Sequence, residues 1–580
     1  MFKRLKYLWP FLRPHRRKLQ GGLAAVLVSV VLGLISPLLV GSAIDVVRHG
    51  ATFLTLLGYA GLIVGLSLVQ GVFSYFQRMI LVGMSRDIEF DLRNSYFEVL
   101  EKQPPAFFHD HPTGDLMARA TNDLQAIRML CGPAIMYMTN TLLTAAGALF
   151  FMTRINVPLM LIALAPMPLV VISTTVVGGR IHTLFTGVQA KFSDITARVQ
   201  ENLSGVRVVR AYAREAREEA EFGRVNQEYL AGNVRLAAWS TAFQPLLQIL
   251  VGVGFASVLF YGGLLVIRGR ISIGELVSFQ LFLGRLVWPM IAIGWVVNLA
   301  QRGTASLARI RQVLDTTPAI RDEEPLVDPG GIEGEVRFHD LTFAYREGTP
   351  VLSHVDLDVP AGRTVAVVGR TGAGKSTLLA LIPRLIDPPE GALTVDGVDV
   401  RRLPLARLRA ATGMVPQEAF LFSATIRENI ALGRPDAPVE EVFEAARLAG
   451  LEPDLASFPN GLDTIVGERG LTLSGGQKQR VTLARALLRD PRILLLDDCL
   501  SAVDTATEEL ILANLRKVFH GRTVFLVSHR ISTVKDADLI LVLDQGRIAE
   551  RGTHAQLIAH GGLYAELHQR QLLEEELAAV

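Results

Sequence analysis

Cysteine is almost missing from this chain of 580 residues, Cys131 and Cys499 being the only two. They lie far apart in the sequence with no His/Cys cluster around them, which excludes a disulfide framework and a zinc site. Charge is scarce as well: charged residues make up 20%, against about 25% in an ordinary soluble domain. The 58 basic and 56 acidic residues nearly cancel, to a net charge of +2, so no polybasic character suits a nucleic-acid partner. Half of the residues are hydrophobic, which excludes disorder as the main state. The length is too great for one ordinary domain of about 150 residues.

The missing charge is concentrated in long runs. Windows 19–44, 50–77, 129–153, 155–179 and 236–267 contain no Asp, Glu, Lys or Arg, and 276–301 contains only Arg285. Each exceeds the about 20 residues that cross about 30 Å of hydrocarbon. Buried helices of a soluble core are neither so long nor so often repeated, so six membrane spans are expected. The first window is too long, and too far from any small-residue cleavage site, for a removable signal peptide. Lys3, Arg4, Lys6, Arg13, Arg16, Arg17 and Lys18 precede it, six Lys/Arg fall in 78–128 and nine in 180–235. The alternate loops hold only Arg48, then Arg154, then Arg268 and Arg270. The positive-inside rule therefore puts the N-terminus and both long loops in the cytoplasm of a multi-pass protein of the cytoplasmic (inner) membrane.

The two long loops read as charged, periodic helix with few breakers. If the membrane helices continue and fold back, each arm of about 25 residues reaches roughly 35 Å beyond the bilayer, where a large cytoplasmic body is expected to meet it. After Arg302 the pattern predicts a short helix to about Leu314, and then a linker rich in Pro, Gly and acid. Beyond it, strand-like runs at 364–368, 493–496, 523–527 and 539–543 alternate with helical patterns, the signature of an α/β domain. The division expected is a membrane domain over 1–315, a linker over 316–334 and an α/β domain over 335–580.

That domain carries a phosphate-handling constellation. Gly369, Arg370, Thr371, Gly372, Ala373, Gly374, Lys375, Ser376 and Thr377 follow a strand-like run and open a helix, in the pattern G-x-x-x-x-G-K-S. The glycines let the backbone curl its N–H groups toward a phosphate, Lys375 reaches the terminal phosphates, and Ser376 ligates Mg2+. The helix N-terminus adds a favourable field for an anion. ATP or GTP binding follows. A phosphate-bound magnesium needs a second protein oxygen, and Asp497 supplies it at the end of the apolar run 493–496. Taken alone, Asp497 could equally cap the next helix.

With these residues the chain resembles the ATP-binding-cassette (ABC) exporters. Leu473, Ser474, Gly475, Gly476 and Gln477 match the family's signature sequence. Tyr345 stands where the family stacks an aromatic on adenine. Gln417 matches the Q-loop, which joins magnesium ligation to the membrane interface, and 467–470 resembles the exporter-specific X-loop. Asp504 matches the D-loop and His529 the switch histidine. Upstream, 107–119 with Asn122 and Asp123 looks like the first intracellular coupling segment, and 201–211 like the region after the second. The levers between ATP and membrane would then be 107–123 and about 183–192. The resemblance implies a six-helix transmembrane domain fused to an α/β P-loop nucleotide-binding domain, with ATP and Mg2+ as cofactors and Ser376, Gln417 and Asp497 around the metal. It implies a dimer, because each ATP lies between one chain's P-loop and the other's signature. It also implies ATP-driven export of hydrophobic or amphipathic compounds such as drugs, peptides or lipids.

One position departs from the family pattern. Where most members place the Glu that polarises the attacking water, this chain has Asp498, followed by Cys499 and Leu500. Asp is shorter by a methylene, and about 1 Å of misplacement costs roughly a hundredfold in rate. The chain is in this respect similar to the degenerate-site subunits of bacterial heterodimeric multidrug and peptide exporters. Its partner half-transporter would then carry the catalytic Glu. A homodimer whose backbone shifts to compensate is the other reading, and a lipid flippase or a nucleotide-gated regulator that does not pump are other functions for the same architecture. Arg285, the only charge in its window, points to the translocation path and anionic or carboxylate-bearing cargo, unless it snorkels or pairs across subunits. Glu275 is too far along the helix to pair with it. Gln70, Asn140, Gln244 and Gln248 are polar enough to join it or simply to pack between helices. The tail 563–577 has leucines at helical spacing and exposed acids at 574–576, and either zips against a partner's tail or forms an ordinary terminal helix.

Overall fold

The computed structural model describes residues 6–345, 348–470 and 472–579, with the side chains of Lys6, Val171, Ile291, Arg469, Thr505 and 574–579 outside the description. The expected exposure of 574–576 therefore lies outside the described side chains. The chain forms two compact units, Met1–Glu101 with Thr113–Thr316 and Lys102–Pro112 with Thr317–Val580.

Among the described residues the first unit contains six helices long and apolar enough to span a membrane: α1 (Arg16–Arg48), α2 (Phe53–Glu101), α3 (Thr113–Ile155), α4 (Val157–Ser204), α5 (Glu215–Ile267) and α6 (Ile273–Leu314). The sequence sets their ends. Gly50, with φ +84°, turns the chain between α1 and α2. The Asn156 side chain accepts from the Leu159 amide at 2.9 Å and starts α4. A reciprocal Ser272/Glu275 capping box starts α6, satisfying amides that no residue within the helix can reach. Small residues let the helices approach. A Cβ on Gly22 would lie 2.5 Å from Leu81, and one on Gly274 would lie 2.1 Å from the Gly41 carbonyl. Polar bonds fix the contacts: Ser29 to Ser74 at 2.8 Å, and Asp45 accepting from the Ser272 hydroxyl (2.5 Å) and the Gly274 amide (2.8 Å).

Two expectations change. No separate short helix follows Arg302, because α6 continues unbroken to Leu314 and Gly303, the only breaker there, is used for close approach to Leu130. The segment 183–192 lies inside α4, and the turn joining α4 to α5 is 205–214, containing the short helix Val206–Ala211. A lever on this arm would sit at that turn, about four helical turns further along the chain.

Among the described residues the second unit has ten strands: β1 (Val336–Phe343), β2 (Leu352–Val359), β3 (Thr364–Gly369), β4 (Leu393–Val395), β5 (Val398–Asp399), β6 (Thr412–Val415), β7 (Ile493–Asp497), β8 (Thr523–Val527), β9 (Leu539–Asp544) and β10 (Arg547–Gly552). A small sheet has the order β2-β1-β4-β5 and the main sheet β10-β9-β3-β8-β7-β6. In the main sheet β3, β6, β7, β8 and β9 run parallel and β10 closes the edge antiparallel. Every residue of β7 and β8 is buried, which explains their unbroken apolar runs. Helices cover the sheet, among them α7 (Lys375–Leu381), α8 (Gly475–Leu488), α9 (Thr505–Phe519) and α10 (Leu563–Ala579). The segment expected as a linker is bound to this unit. Val327 donates to the Arg402 carbonyl at 2.8 Å, and Asp396 accepts from the amides of Glu333, Gly334 and Glu335.

Candidate nucleotide site

Parallel order brings the carboxyl ends of β3, β7 and β8 side by side, where open α/β sheets bind ligands. A cavity of about 260 Å³ opens there, lined by Thr371, Gly372, Ala373, Gly374, Lys375, Ser376, Thr377, Gln417, Asp497, Asp498 and His529, with Val351 and Val527. Eleven of the sequence-predicted residues therefore converge on one concavity. The loop needs its glycines: Gly372 and Gly374 have φ +83° and +98°, and a Cβ on Gly374 would lie 2.7 Å from the Leu352 side chain. Lys375 is the first residue of α7 and nearly buried. Its ammonium donates to the carbonyls of Gly369 (2.8 Å) and Arg370 (3.0 Å). Burial lowers the pKa of this ammonium, and the Asp497 and Asp498 carboxylates work against that shift.

Asp497 ends β7 at 4% exposure. Burial raises its pKa above the ordinary carboxylate range, and a hydrogen bond from the Ser376 side chain opposes the rise. A hydroxyl, a buried carboxylate and a cation facing one concavity form a donor set that fits a magnesium-bound polyphosphate. Asp498 follows with a left-handed backbone, φ +47°, a conformation Asp tolerates better than most residues. Its backbone is held on both sides. The amide donates to the Val527 carbonyl (3.0 Å), and its carbonyl accepts from the Ser501 hydroxyl (2.9 Å). Cys499 beside it is buried, with its thiol pKa pushed up to about 12, so it stays an inert apolar filler.

Two of the residues predicted to bind this chain's own ATP lie outside the cavity lining. Arg370 is exposed and stands 3.9 Å from Glu566 of α10. Tyr345 is 58% exposed, and its hydroxyl lies 3.1 Å from that of Thr377, so it is tied to the P-loop helix. Leu473, Ser474, Gly475, Gly476 and Gln477 do not line the cavity at all. Ser474 caps α8 in a reciprocal box with Gln477, and a Cβ on Gly476 would sit 2.8 Å from the Ala502 carbonyl. Asp504 likewise caps α9, where the Thr507 amide holds its carboxylate below the usual range.

Sequence reading missed the residues that join these pieces. Gln479 accepts from the Ala502 amide (3.0 Å) and donates to the Ser501 hydroxyl (3.1 Å), linking α8 to the turn after Asp498. Buried Glu508 accepts from Thr533 (2.6 Å) and from Arg530, the neighbour of His529. No motif spacing signals these bonds, although Gln479 lies only two residues beyond the signature. In the first unit Arg285 is half-buried, and Gly33 leaves space for it: a Cβ there would lie 2.9 Å from its guanidinium and 2.8 Å from the Gln70 amide. Glu275 is engaged with Ser272, while Asn140 bonds Thr144 (3.3 Å) and Gln244 and Gln248 are exposed.

Comparison with known proteins agrees with this architecture. Residues 21–290 match the ABC transporter transmembrane region and residues 352–501 match the ABC transporter family. The chain is 40% identical to a probable multidrug resistance ABC transporter ATP-binding/permease protein, YheI, of Bacillus subtilis, over 99% of this chain and 98% of that protein. It is 38% identical to the multidrug resistance-like ATP-binding protein MdlA of Escherichia coli, over 98% and 96%, and 35% identical to an ATP-dependent lipid A-core flippase of Syntrophus aciditrophicus, over 100% and 95%. Among solved structures, that of a bacterial Atm1-family ABC exporter with ATP bound matches with a TM-score of 0.78 at 30% identity, covering 96% of this chain and 98% of the other. The chain belongs to the ABC transporter family, as an exporter polypeptide that fuses a six-helix membrane region to the ATP-hydrolysing cassette that powers transport.

Proposed function

We propose that this chain is one half of a dimeric exporter of the cytoplasmic membrane that moves hydrophobic or amphipathic compounds outward, and that its partner is a different half-transporter carrying a catalytic Glu. In this reading the P-loop holds ATP, and Ser376, Gln417 and Asp497 hold Mg2+, which supplies charge neutralisation along the phosphates when bound. His529 and Asp498 face the terminal phosphate, and Leu473 to Gln477 complete the partner's site. The observation that carries the reading is the pinned backbone of Asp498. With its amide on Val527 and its carbonyl on Ser501, the main chain has little freedom to make up the missing methylene. Slow turnover at this site follows. The placement of the signature off its own cavity supports assembly with a second chain, because an anion-binding helix N-terminus needs a phosphate presented by another surface.

Purifying the tagged chain in mild detergent tests the pairing, since a second half-transporter is expected to copurify in equal amount. In that pair, replacing the partner's Glu by Gln should nearly abolish ATP turnover, Asp498→Asn should change it less than twofold, and Asp498→Glu should raise it. Equal losses from both neutralised carboxylates would sink the heterodimer reading. The 35% identity to a lipid A-core flippase favours one second reading, a homodimeric lipid flippase, for which the chain would purify alone and move labelled lipid between leaflets.

A further inference from the structure

The stretch 7–18, which runs into the first turn of α1, divides its cations between two faces. His15 lies 3.1 Å from Asp91 and 3.9 Å from Asp87, and Lys18 lies 2.5 Å from Asp87, so these two fasten the segment to α2. Further back, Leu8 is buried and the Arg311 guanidinium of α6 stacks 3.6 Å over the Tyr7 ring. The segment is thus held by two different helices. Arg13, Arg16 and Arg17 take no part in this. All three are exposed, none has an ion-pair partner among the described residues, and with Pro14 they alone line an open concavity of about 470 Å³. Leu19, two residues on, begins the uncharged run of α1, which places the concavity at the border of the bilayer. Trp9, exposed on the adjoining short helix Trp9–Leu12, has the amphipathic ring that settles at headgroup depth.

We propose that Arg13, Arg16 and Arg17 form a binding site for the phosphodiester headgroup of an anionic phospholipid in the leaflet on the N-terminal side of α1. Charge complementarity selects the occupant: three guanidinium groups with no carboxylate among them meet a phosphate as paired donors. A mere topology signal needs only the charges. Here the neighbours His15, Lys18 and Tyr7 hold the segment in place, so the three arginines are organised before any lipid arrives, which lowers the cost of binding. The site is distinct from the nucleotide site and does not depend on which chain is the partner.

The test is native mass spectrometry of the intact dimer released from detergent containing phosphatidylglycerol and phosphatidylcholine in equal amounts. Each arginine beside an anionic surface contributes about fivefold, so the wild type should retain phosphatidylglycerol in preference. R13Q/R16Q/R17Q should lose on the order of a hundredfold of that preference with phosphatidylcholine retention unchanged. Lys18→Gln, on the opposite face, should keep the preference while lowering the melting temperature. If the triple variant does not fold, the three single variants should each show a partial loss. Unchanged phosphatidylglycerol retention in the variants overturns the proposal. So does displacement of the lipid by an equal concentration of inorganic phosphate, which would mark a free-anion site, or dimer dissociation without a change in lipid retention, which would mark a protein interface.

Discussion

At the scale of single residues, the nucleotide site carries a built-in cost. Asp497 is buried and its pKa is raised above its ordinary value of 3.8, so the folded state binds this proton more tightly than the unfolded chain. The stabilising effect is fully present below the unfolded value and is lost as pH rises through the folded one. Near pH 7 the ionised carboxylate therefore works against folding until a cation arrives. Asp497→Asn should stabilise the nucleotide-free protein at pH 7 by about 1 kcal/mol, with the gain vanishing in acid. The same substitution should remove most of the Mg2+·ATP-dependent rise in melting temperature, which for ligand at a hundred times its Kd corresponds to about 2.7 kcal/mol. Thermal unfolding with and without nucleotide, at pH 7 and at low pH, measures both. A wild type more stable than the variant in the absence of nucleotide at pH 7 would contradict the argument. Asp498 shows a limit of sequence reading. Its identity marks a short side chain, but neither its left-handed backbone nor its amide bond to Val527 of β8 is written in a local pattern.

Elements are more legible than residues where one period dominates. The four strand runs expected from apolar composition coincide with the parallel strands β3, β7, β8 and β9, because strands buried on both faces are written as continuous Val/Ile/Leu. The P-loop was readable because its chemistry demands fixed spacing. The short strands β4 and β5 and the placement of 183–192 within α4 were not, since a charged amphipathic helix offers no internal sign of where its partner turns back. The bonds between elements were also hidden. Glu508 of α9 is 3% exposed and receives Arg530 and Thr533 from the segment after β8. Removing it leaves Arg530 without its carboxylate and the Thr533 hydroxyl unpaired. Breaking a buried pair on one side costs about 3–5 kcal/mol, and Arg530, being partly exposed, brings the expectation for Glu508→Ala to roughly 2–3 kcal/mol. Chemical denaturation of the full-length protein measures this. The loss should fall on the cooperative unfolding of the nucleotide-binding unit, and a change under about 0.5 kcal/mol, the range of ordinary surface substitutions, would refute it.

On the scale of the whole molecule, the near-zero net charge is an average over two solvents. Carboxylates of the membrane helices are answered by donors on a neighbouring helix: Asp45 accepts from Ser272 and Gly274, and Asp123 from Ser306 and Arg309, all of α6 or its cap. Arg285 is half-buried in a span, and the space beside it is left open by Gly33 and shared with Gln70. An ionisable group at that depth points by default to a pathway or a ligand. Three helices contribute the cluster, Gly33 from α1, Gln70 from α2 and Arg285 from α6, so no single window of sequence could display it. If the cluster receives the anionic end of a cargo, Arg285→Gln should weaken transport of anionic compounds roughly ten- to hundredfold while leaving neutral amphipathic compounds within about twofold, because a charge-assisted bond contributes about 1.5–3 kcal/mol. Gly33→Ala, which places a methyl group against both polar partners, should reproduce the same selectivity with the charge intact. Proteoliposomes loaded with ATP outside and assayed for uptake of matched anionic and neutral fluorescent compounds separate these effects. Equal losses for both compounds would mean that Arg285 holds the bundle together, and unchanged uptake of both would remove it from the path.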